Sequence, residues 1–265
     1  MSFASVFGSQ KPIIGMIHLL PLPGSPHYGG SLERVWEAAL ADLNALTEGG
    51  ISAAIVENFG DVPYSPAVDG LTVHAMAILL DRLMRVSSIP LGVNVQYNCT
   101  QAEWDLAYLT DAAFLRVEAF AENRMGPNGL FPAAAPSLMR RRAMYPGESL
   151  ILADIHVKHT FPMVAQPTEF TVESAVESGA DALIVTGLQT GAAPTLDEVR
   201  EMKQYAGQTP LLIGSGIKDS TVADYLTVAD GVIVGSSIKE GGNVFRPVDA
   251  ERVRRLVACA RGESK

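Results

Sequence analysis

Short apolar runs alternate with longer amphipathic segments eight times along the chain. Short apolar runs are typical of strands buried in a parallel sheet, and amphipathic segments are typical of helices that cover such a sheet. The predicted strands are Pro12–His18, Ala53–Glu57, Leu91–Val95, Ala113–Val117, Leu150–Ile155, Ala182–Thr186 and two more that begin at Leu211 and Ala229. The predicted helices are Leu32–Glu48, Thr72–Val86, Gln101–Leu109, Pro136–Tyr145, Glu169–Ser178, Leu196–Tyr205, Ser220–Val228 and Val248–Ala260.

Eight strand–helix units in 265 residues predict one closed (β/α)8 barrel domain spanning residues 1–265. A doubly wound open sheet is the alternative. It is disfavoured because no GxGxxG motif follows the first predicted strand.

The last two predicted strands both end in glycine and serine. Gly214, Ser215 and Gly216 follow one strand, and Gly235 and Ser236 follow the other. Glycine lets the backbone approach an anion closely, and turns late in such a barrel commonly bind phosphate. We therefore expect these five residues to bind the phosphate of a small-molecule substrate.

Polar residues also gather where the other predicted strands end, which is the catalytic face of a barrel. His18 and Glu57 are candidate catalytic residues, and the candidate substrate-binding residues are Asn58, Asp61, Asn94, Arg116 and Thr186. Structural roles stay open for several of them. His18 suits a purely structural position, Asp61 suits a turn cap, and Arg116 suits an ion pair with Glu57, Glu118 or Asp154.

The fifth predicted strand leads into three ionisable residues. Asp154, His156 and Lys158 alternate with Ile155 and Val157, so strand periodicity puts the three on one face. Asp154 and His156 could bind a divalent metal, the only cofactor that we consider. Alternatively, His156 acts as an acid–base oriented by Asp154, with Lys158 stabilising negative charge. A third possibility is a buried polar network that closes the top of the barrel.

Two connections between predicted elements are candidate functional loops. The connection from Glu118 to Ala135 is long, which is typical of a functional or mobile loop. Residues 187–194 could form a ligand loop or an ordinary turn. Arg252, Arg254 and Arg255 are interpreted as a solvated helix face.

Composition narrows the function classes. The net charge of −9 argues against nucleic-acid binding, and no apolar run is long enough to span a membrane. Two cysteines and no signal-peptide pattern predict a cytoplasmic protein. Peripheral association with a membrane stays open, and we expect a homo-oligomer.

Several motifs together resemble the BtpA/SgcQ family of ribulose-phosphate-binding-type barrels. The motifs are Lys11–His18, Pro21–Pro26, Val56–Pro63, Leu91–Val95, Ala153–His159, Ala182–Gly187, Gly214–Gly216, Ala229–Gly235 and Arg246–Arg254. One position departs, because the family usually has an asparagine after the valine where this chain has Glu118. The resemblance implies the barrel fold, and the family name implies a role in photosystem I biogenesis.

Three functions follow from these observations. The leading hypothesis is an isomerase, epimerase or aldol-type lyase acting on a phosphorylated sugar or related metabolite. The second is a non-enzymatic assembly or stability factor for a membrane complex. The third is a metal-dependent hydrolase or nucleosidase whose ligands come from His18, Glu57, Asp154 and His156.

Overall fold

The computed structural model describes residues 1–8, 10–65, 67–127, 129–187 and 193–263. Their strands, in chain order, are β1 Ile13–His18, β2 Ala53–Glu57, β3 Leu91–Asn94, β4 Phe114–Val117, β5 Arg124–Gly126, β6 Gly129–Phe131, β7 Leu150–Ile155, β8 Phe161–Pro162, β9 Ala182–Val185, β10 Leu211–Ile213 and β11 Gly231–Val234. The α-helices are α1 Phe3–Phe7, α2 Leu32–Glu48, α3 Gly70–Val86, α4 Thr100–Thr110, α5 Ala135–Met144, α6 Thr168–Glu177, α7 Leu196–Ala206, α8 Val222–Val228 and α9 Ala250–Ala260.

Eight of the strands close a parallel barrel in the order β1-β11-β10-β9-β7-β4-β3-β2. Each strand of the barrel is followed in the chain by a helix that packs outside, and α9, which follows β11, closes the ring beside α2. The predicted (β/α)8 fold is therefore confirmed. Ser31 and Thr195 cap the starts of α2 and α7, since their side chains accept hydrogen bonds from the N–H groups of Arg34 and Glu198.

The alternation of side chains along the strands divides the core into two layers. Ile14 and Met16 belong to the cluster inside the barrel, whereas Ile13 and Ile17 pack among the helices. By the same alternation Leu150 and Leu152 lie inside, so Asp154 follows them on the inner face. Strand periodicity thus brings His18 and Asp154 to the mouth at the C-terminal ends of the strands.

Helix α1 and a small second sheet were not predicted from the sequence. Helix α1 closes the bottom of the barrel, where the Phe7 ring lies 5.2 Å from the Phe114 ring. The loop after β4 contributes β5 and β6, which join β8 in a three-stranded antiparallel sheet beside the mouth. Part of the long loop from Glu118 to Ala135 therefore belongs to this small sheet.

Candidate active site

The two glycine–serine turns meet at the mouth of the barrel. A cavity of about 60 Å³ is lined by all five predicted phosphate-binding residues: Gly214, Ser215, Gly216, Gly235 and Ser236. A Cβ on Gly214 would lie only 2.5 Å from Ile184 Cγ2 and 3.3 Å from Arg116 Nη2, so the close approach there requires glycine. After Gly235 the chain forms a short 3-10 turn, Ser236–Ile238, whose first N–H groups have no partner within the turn. This arrangement of turns and short helix suits an anion.

His18 and Glu57 face the same cavity from β1 and β2. The imidazole Nε2 lies 3.9 Å from a Glu57 carboxylate oxygen, and the His18 ring stacks on Phe59 with 4.2 Å between ring centroids. Burial, reinforced by the positive charge of Lys239, lowers the pKa of His18 to about 3. The imidazole is therefore neutral at physiological pH. Its Nδ1–H donates to the Val244 carbonyl at 3.4 Å, which leaves Nε2 as an acceptor.

Lys158 brings an amine to this cavity from the loop after β7. Burial lowers the pKa of its ammonium group, and the nearby charge of Arg116 lowers it further. The cavity therefore combines a carboxylate, a neutral imidazole and an amine with the glycine–serine turns. These groups can bind an anion and transfer a proton next to it.

Arg116 and Asp154 form a bidentate ion pair across β4 and β7. Arg116 Nε and Nη2 donate to the two carboxylate oxygens of Asp154 at 2.9 and 2.7 Å, and both side chains are buried. Of the alternatives weighed for Arg116, the ion pair with Asp154 is the one that forms. Because both oxygens of Asp154 accept from the guanidinium, Asp154 is poorly placed to bind a metal or to orient His156.

The prediction that Asp154, His156 and Lys158 share one face is wrong for His156. Strand β7 ends at Ile155, and His156 has a φ of +56°, so strand alternation stops before it. Burial lowers the pKa of His156. The charged groups that also shift this pKa are Glu122, Arg124 and Glu198, and none of them lines the cavity. His156 is also absent from the cavity lining, whereas Lys158 is present. The pairing of Asp154 with His156 as metal ligands therefore does not fit this geometry.

A second set of buried polar side chains makes its contacts within the protein, although Glu103 Oε2 has no hydrogen-bond partner there. Glu103 on α4 accepts from Asn94 Nδ2 and from the Val95 N–H at 3.0 and 2.7 Å. Glu118 accepts from the Asn98 N–H at 2.7 Å, and burial together with the charge of Glu57 raises the pKa of Glu118 to about 8. Asn94 is thus held by structural contacts.

The remaining predicted substrate-binding residues lie around the mouth rather than in its cavity. Asp61 accepts from the Leu22 N–H at 2.7 Å and from Asn58 Nδ2 at 3.0 Å, contacts that suit the turn cap weighed as the alternative to substrate binding. Thr186 lies one residue beyond β9 and donates to the His156 carbonyl at 3.2 Å. Most of the second candidate loop, residues 188–192, lies outside the described residues.

Sequence reasoning assigned no role at the mouth to three cationic residues beside the glycine–serine turns. A cavity of about 220 Å³ shares Gly216 and Ser236 with the mouth and is also lined by Lys218, Arg252 and Arg255. Asp219 lines this cavity too and accepts from Arg255 Nε at 2.6 Å, so Arg255 is paired there. Arg252 and Arg255 were interpreted only as parts of a solvated helix face. Arg252 and Arg255 lie there because α9 follows β11, so the first turns of α9 lie at the mouth of the barrel.

In the described part of the chain, no set of three or more His, Cys, Asp or Glu side chains is arranged to hold a metal ion. The same residues include no helix long and apolar enough to cross a membrane.

Comparison of the fold with solved structures finds enzymes with a barrel fold. Tryptophan synthase from Mycobacterium tuberculosis superposes with a TM-score of 0.63 at 16% identity, covering 98% of both chains. N-(5'-phosphoribosyl)anthranilate isomerase from Pyrococcus furiosus gives a TM-score of 0.56 at 12% identity, covering 95% of this chain and 99% of that one. At such identities the likeness concerns the fold alone.

Comparison of the sequence finds much closer relatives. An uncharacterized protein of Pyrococcus abyssi is 36% identical over 257 residues, covering 96% of this chain and 98% of the relative. The photosystem I biogenesis protein BtpA of Synechocystis is 36% identical over 265 residues, covering 99% of this chain and 92% of the relative. Residues 9–262 also match the BtpA family as a whole. The chain therefore belongs to the BtpA family.

Proposed function

We propose that the protein is an enzyme that binds a phosphorylated sugar or a related small metabolite and moves a proton beside its carbonyl group. The reaction classes that fit are isomerisation, epimerisation and aldol-type cleavage. The observation that carries the proposal is the convergence of glycine–serine turns, a carboxylate, a neutral imidazole and an amine on one cavity. The fold shared with phosphoribosylanthranilate isomerase is consistent with it.

In this proposal the residues of the cavity have different roles in binding and catalysis. Gly214, Ser215, Gly216, Gly235 and Ser236 bind the phosphate through backbone N–H and hydroxyl groups. Glu57 removes the proton from carbon, because it is the carboxylate that lines the cavity. The Lys158 amine stabilises the negative charge that develops on the carbonyl oxygen, and His18 Nε2 accepts from a substrate hydroxyl. Glu57 and His18 thus take the acid–base role that the sequence predicted for His156.

A thermal-shift screen of sugar phosphates against the matching unphosphorylated sugars tests this proposal. A ligand that binds only the folded state raises the melting temperature with its occupancy. We expect phosphorylated compounds alone to stabilise the protein. Lys158→Ala should weaken that stabilisation, because it removes a cationic group from the cavity, and His156→Ala, two residues away, should keep it. The proposal fails if no phosphorylated compound is preferred, or if both variants behave alike.

A second candidate is a non-enzymatic assembly factor. It is favoured by the name of the Synechocystis relative and by an exposed apolar row on the small sheet, where Met125 lies opposite both Leu130 and Phe161. Under this function the cavity residues are dispensable. Complementation of a deletion strain by a Glu57→Gln, Lys158→Ala protein would support it, and failure of that protein beside a complementing wild type would count against it.

A further inference from the structure

A second cavity, much larger than the mouth, opens between the loops that follow β1, β2 and β11. Its volume is about 510 Å³, within the range of small-molecule sites, whereas the mouth offers about 60 Å³. The apolar part of its wall comprises Leu19, Leu20, Pro21, Val62, Phe245 and Pro247. The mouth has room for little more than a phosphate and the reacting carbon, so the rest of a substrate must extend into a neighbouring space.

The large cavity and the mouth share a wall. His18, Phe59 and Val244 line both spaces, so the imidazole that faces Glu57 on one side borders the apolar cavity on the other. The cationic cavity of Lys218, Arg252 and Arg255 shares Gly216 and Ser236 with the mouth. The three spaces therefore follow one another in the order cationic, catalytic and apolar.

The wall of the apolar cavity is aromatic where it meets the mouth. The His18 and Phe59 rings stack at an interplanar angle of 17°, and the Phe245 ring lies 5.4 Å from Phe59. Phe245 is 71% exposed at the edge of this cavity. Aromatic rings attract a further ring in offset or edge contacts, and a ring in the cavity would cover Phe245.

The charges in the cavity floor do not favour a second anion there. Lys239 and Asp42 both line it, but Lys239 Nζ donates to an Asp42 oxygen at 2.8 Å and both side chains are buried. The pair neutralises itself. His27 and the exposed Arg246 also line the cavity, so the surface left for a ligand is mainly apolar and aromatic, with one exposed cation.

We propose that the apolar cavity is a subsite for an aromatic ring, and that the substrate is a phosphorylated sugar with such a ring at the end opposite its phosphate. The phosphate occupies the glycine–serine turns, the reacting carbon lies beside Glu57, and the ring packs on Phe59 and Phe245. This proposal rests on the proposed function and narrows its substrate class.

Titration calorimetry with three probes tests it: ribose 5-phosphate, adenosine 5'-monophosphate and uridine 5'-monophosphate. The two nucleotides keep the phosphosugar and add a ring. We expect at least one nucleotide to bind wild-type protein about tenfold or more tightly than ribose 5-phosphate, since burying one ring is worth at least that factor. Phe245→Ala should reduce the advantage to about threefold or less without changing the affinity for ribose 5-phosphate.

Phe161→Ala is the matched control, because Phe161 is 74% exposed and does not line the cavity. It should bind all three probes as the wild type does. The subsite is refuted if neither nucleotide binds more tightly than ribose 5-phosphate, or if Phe245→Ala and Phe161→Ala give the same ratios; the phosphate assignment then stands. If none of the probes binds, the proposed function fails as well.

Discussion

Two buried acidic residues at the barrel mouth, Glu57 and Asp154, have opposite surroundings. Glu57 accepts from Gln96 Nε2 and has one oxygen 3.9 Å from His18 Nε2, at the wall of the cavity. Asp154 has both oxygens bound by the Arg116 guanidinium. We call His18, Glu57 and Lys158 the cavity group. Arg116, Asp154, Glu103 and Glu118 are the paired group, of which Arg116 also lines the cavity. A polar residue at a strand end is available for chemistry only where the fold leaves it without a strong internal partner.

The largest expected effect is in the cavity group. Glu57→Gln keeps the shape of the side chain but removes its basicity, so kcat for a substrate found by the screen should fall by about 10²–10⁴. The melting temperature should change little. Glu103→Gln is the control, because that carboxyl group is buried away from the cavity and its pKa is raised by burial. Equal losses in kcat for the two variants would contradict the division into two groups.

Substitutions in the paired group should instead lower the stability of the folded protein. Asp154→Ala leaves Arg116 buried without its partner, so the free energy of unfolding should fall by about 3–5 kcal/mol. Chemical denaturation measures this loss. Adding Arg116→Met to the variant should recover much of it, since the double variant has no unpaired charge. A loss below about 1 kcal/mol in the single variant would show that the pair is not structural.

Glu118 makes the stability of the folded protein depend on pH. Its pKa is about 8 in the folded protein against an ordinary value of 4.5, so the folded state binds this proton more tightly. The contribution to stability is therefore complete below about pH 4.5 and is lost as the pH rises towards 8. Glu118→Gln should raise the melting temperature at pH 8.5 by on the order of 5 °C and change it little at pH 5.

The surface variant Glu201→Gln controls for the simple loss of a negative charge. It should leave the difference between the two pH values unchanged. A Glu118→Gln protein with the same pH profile as the wild type would mean that Glu118 is ionised in the folded state.

The regular part of the fold could be predicted from the sequence because strand and helix periods repeat eight times. The same periodicity places His18 and Asp154 on the inner face of the barrel, and the glycine–serine turns lie at the mouth, as expected for turns that follow the last two strands. It fails at His156, where the strand has ended and a positive φ turns the chain. No local sequence pattern predicts such a turn.

Pairing between neighbouring strands is equally hidden from the sequence. Arg116 and Asp154 are 38 positions apart, and the lateral pairing of β4 with β7 makes them partners. Arg252 and Arg255 look like surface arginines until α9 is placed beside the glycine–serine turns. The small sheet of β5, β6 and β8 likewise depends on two loops meeting.

Binding of one phosphosugar to Gly235→Ala tests the central claim most directly. A Cβ at Gly235 would lie 3.6 Å from Met16 Cγ and 3.7 Å from His18 Cε1, so the methyl group fits the fold but enters the cavity. Calorimetry should show ribose 5-phosphate binding to wild-type protein better than ribose, and about tenfold weaker binding to Gly235→Ala. Gly70→Ala, with open space around its Cβ, should bind as the wild type does. Equal affinities for ribose and ribose 5-phosphate, or undiminished binding by Gly235→Ala, would contradict a phosphate site at these turns.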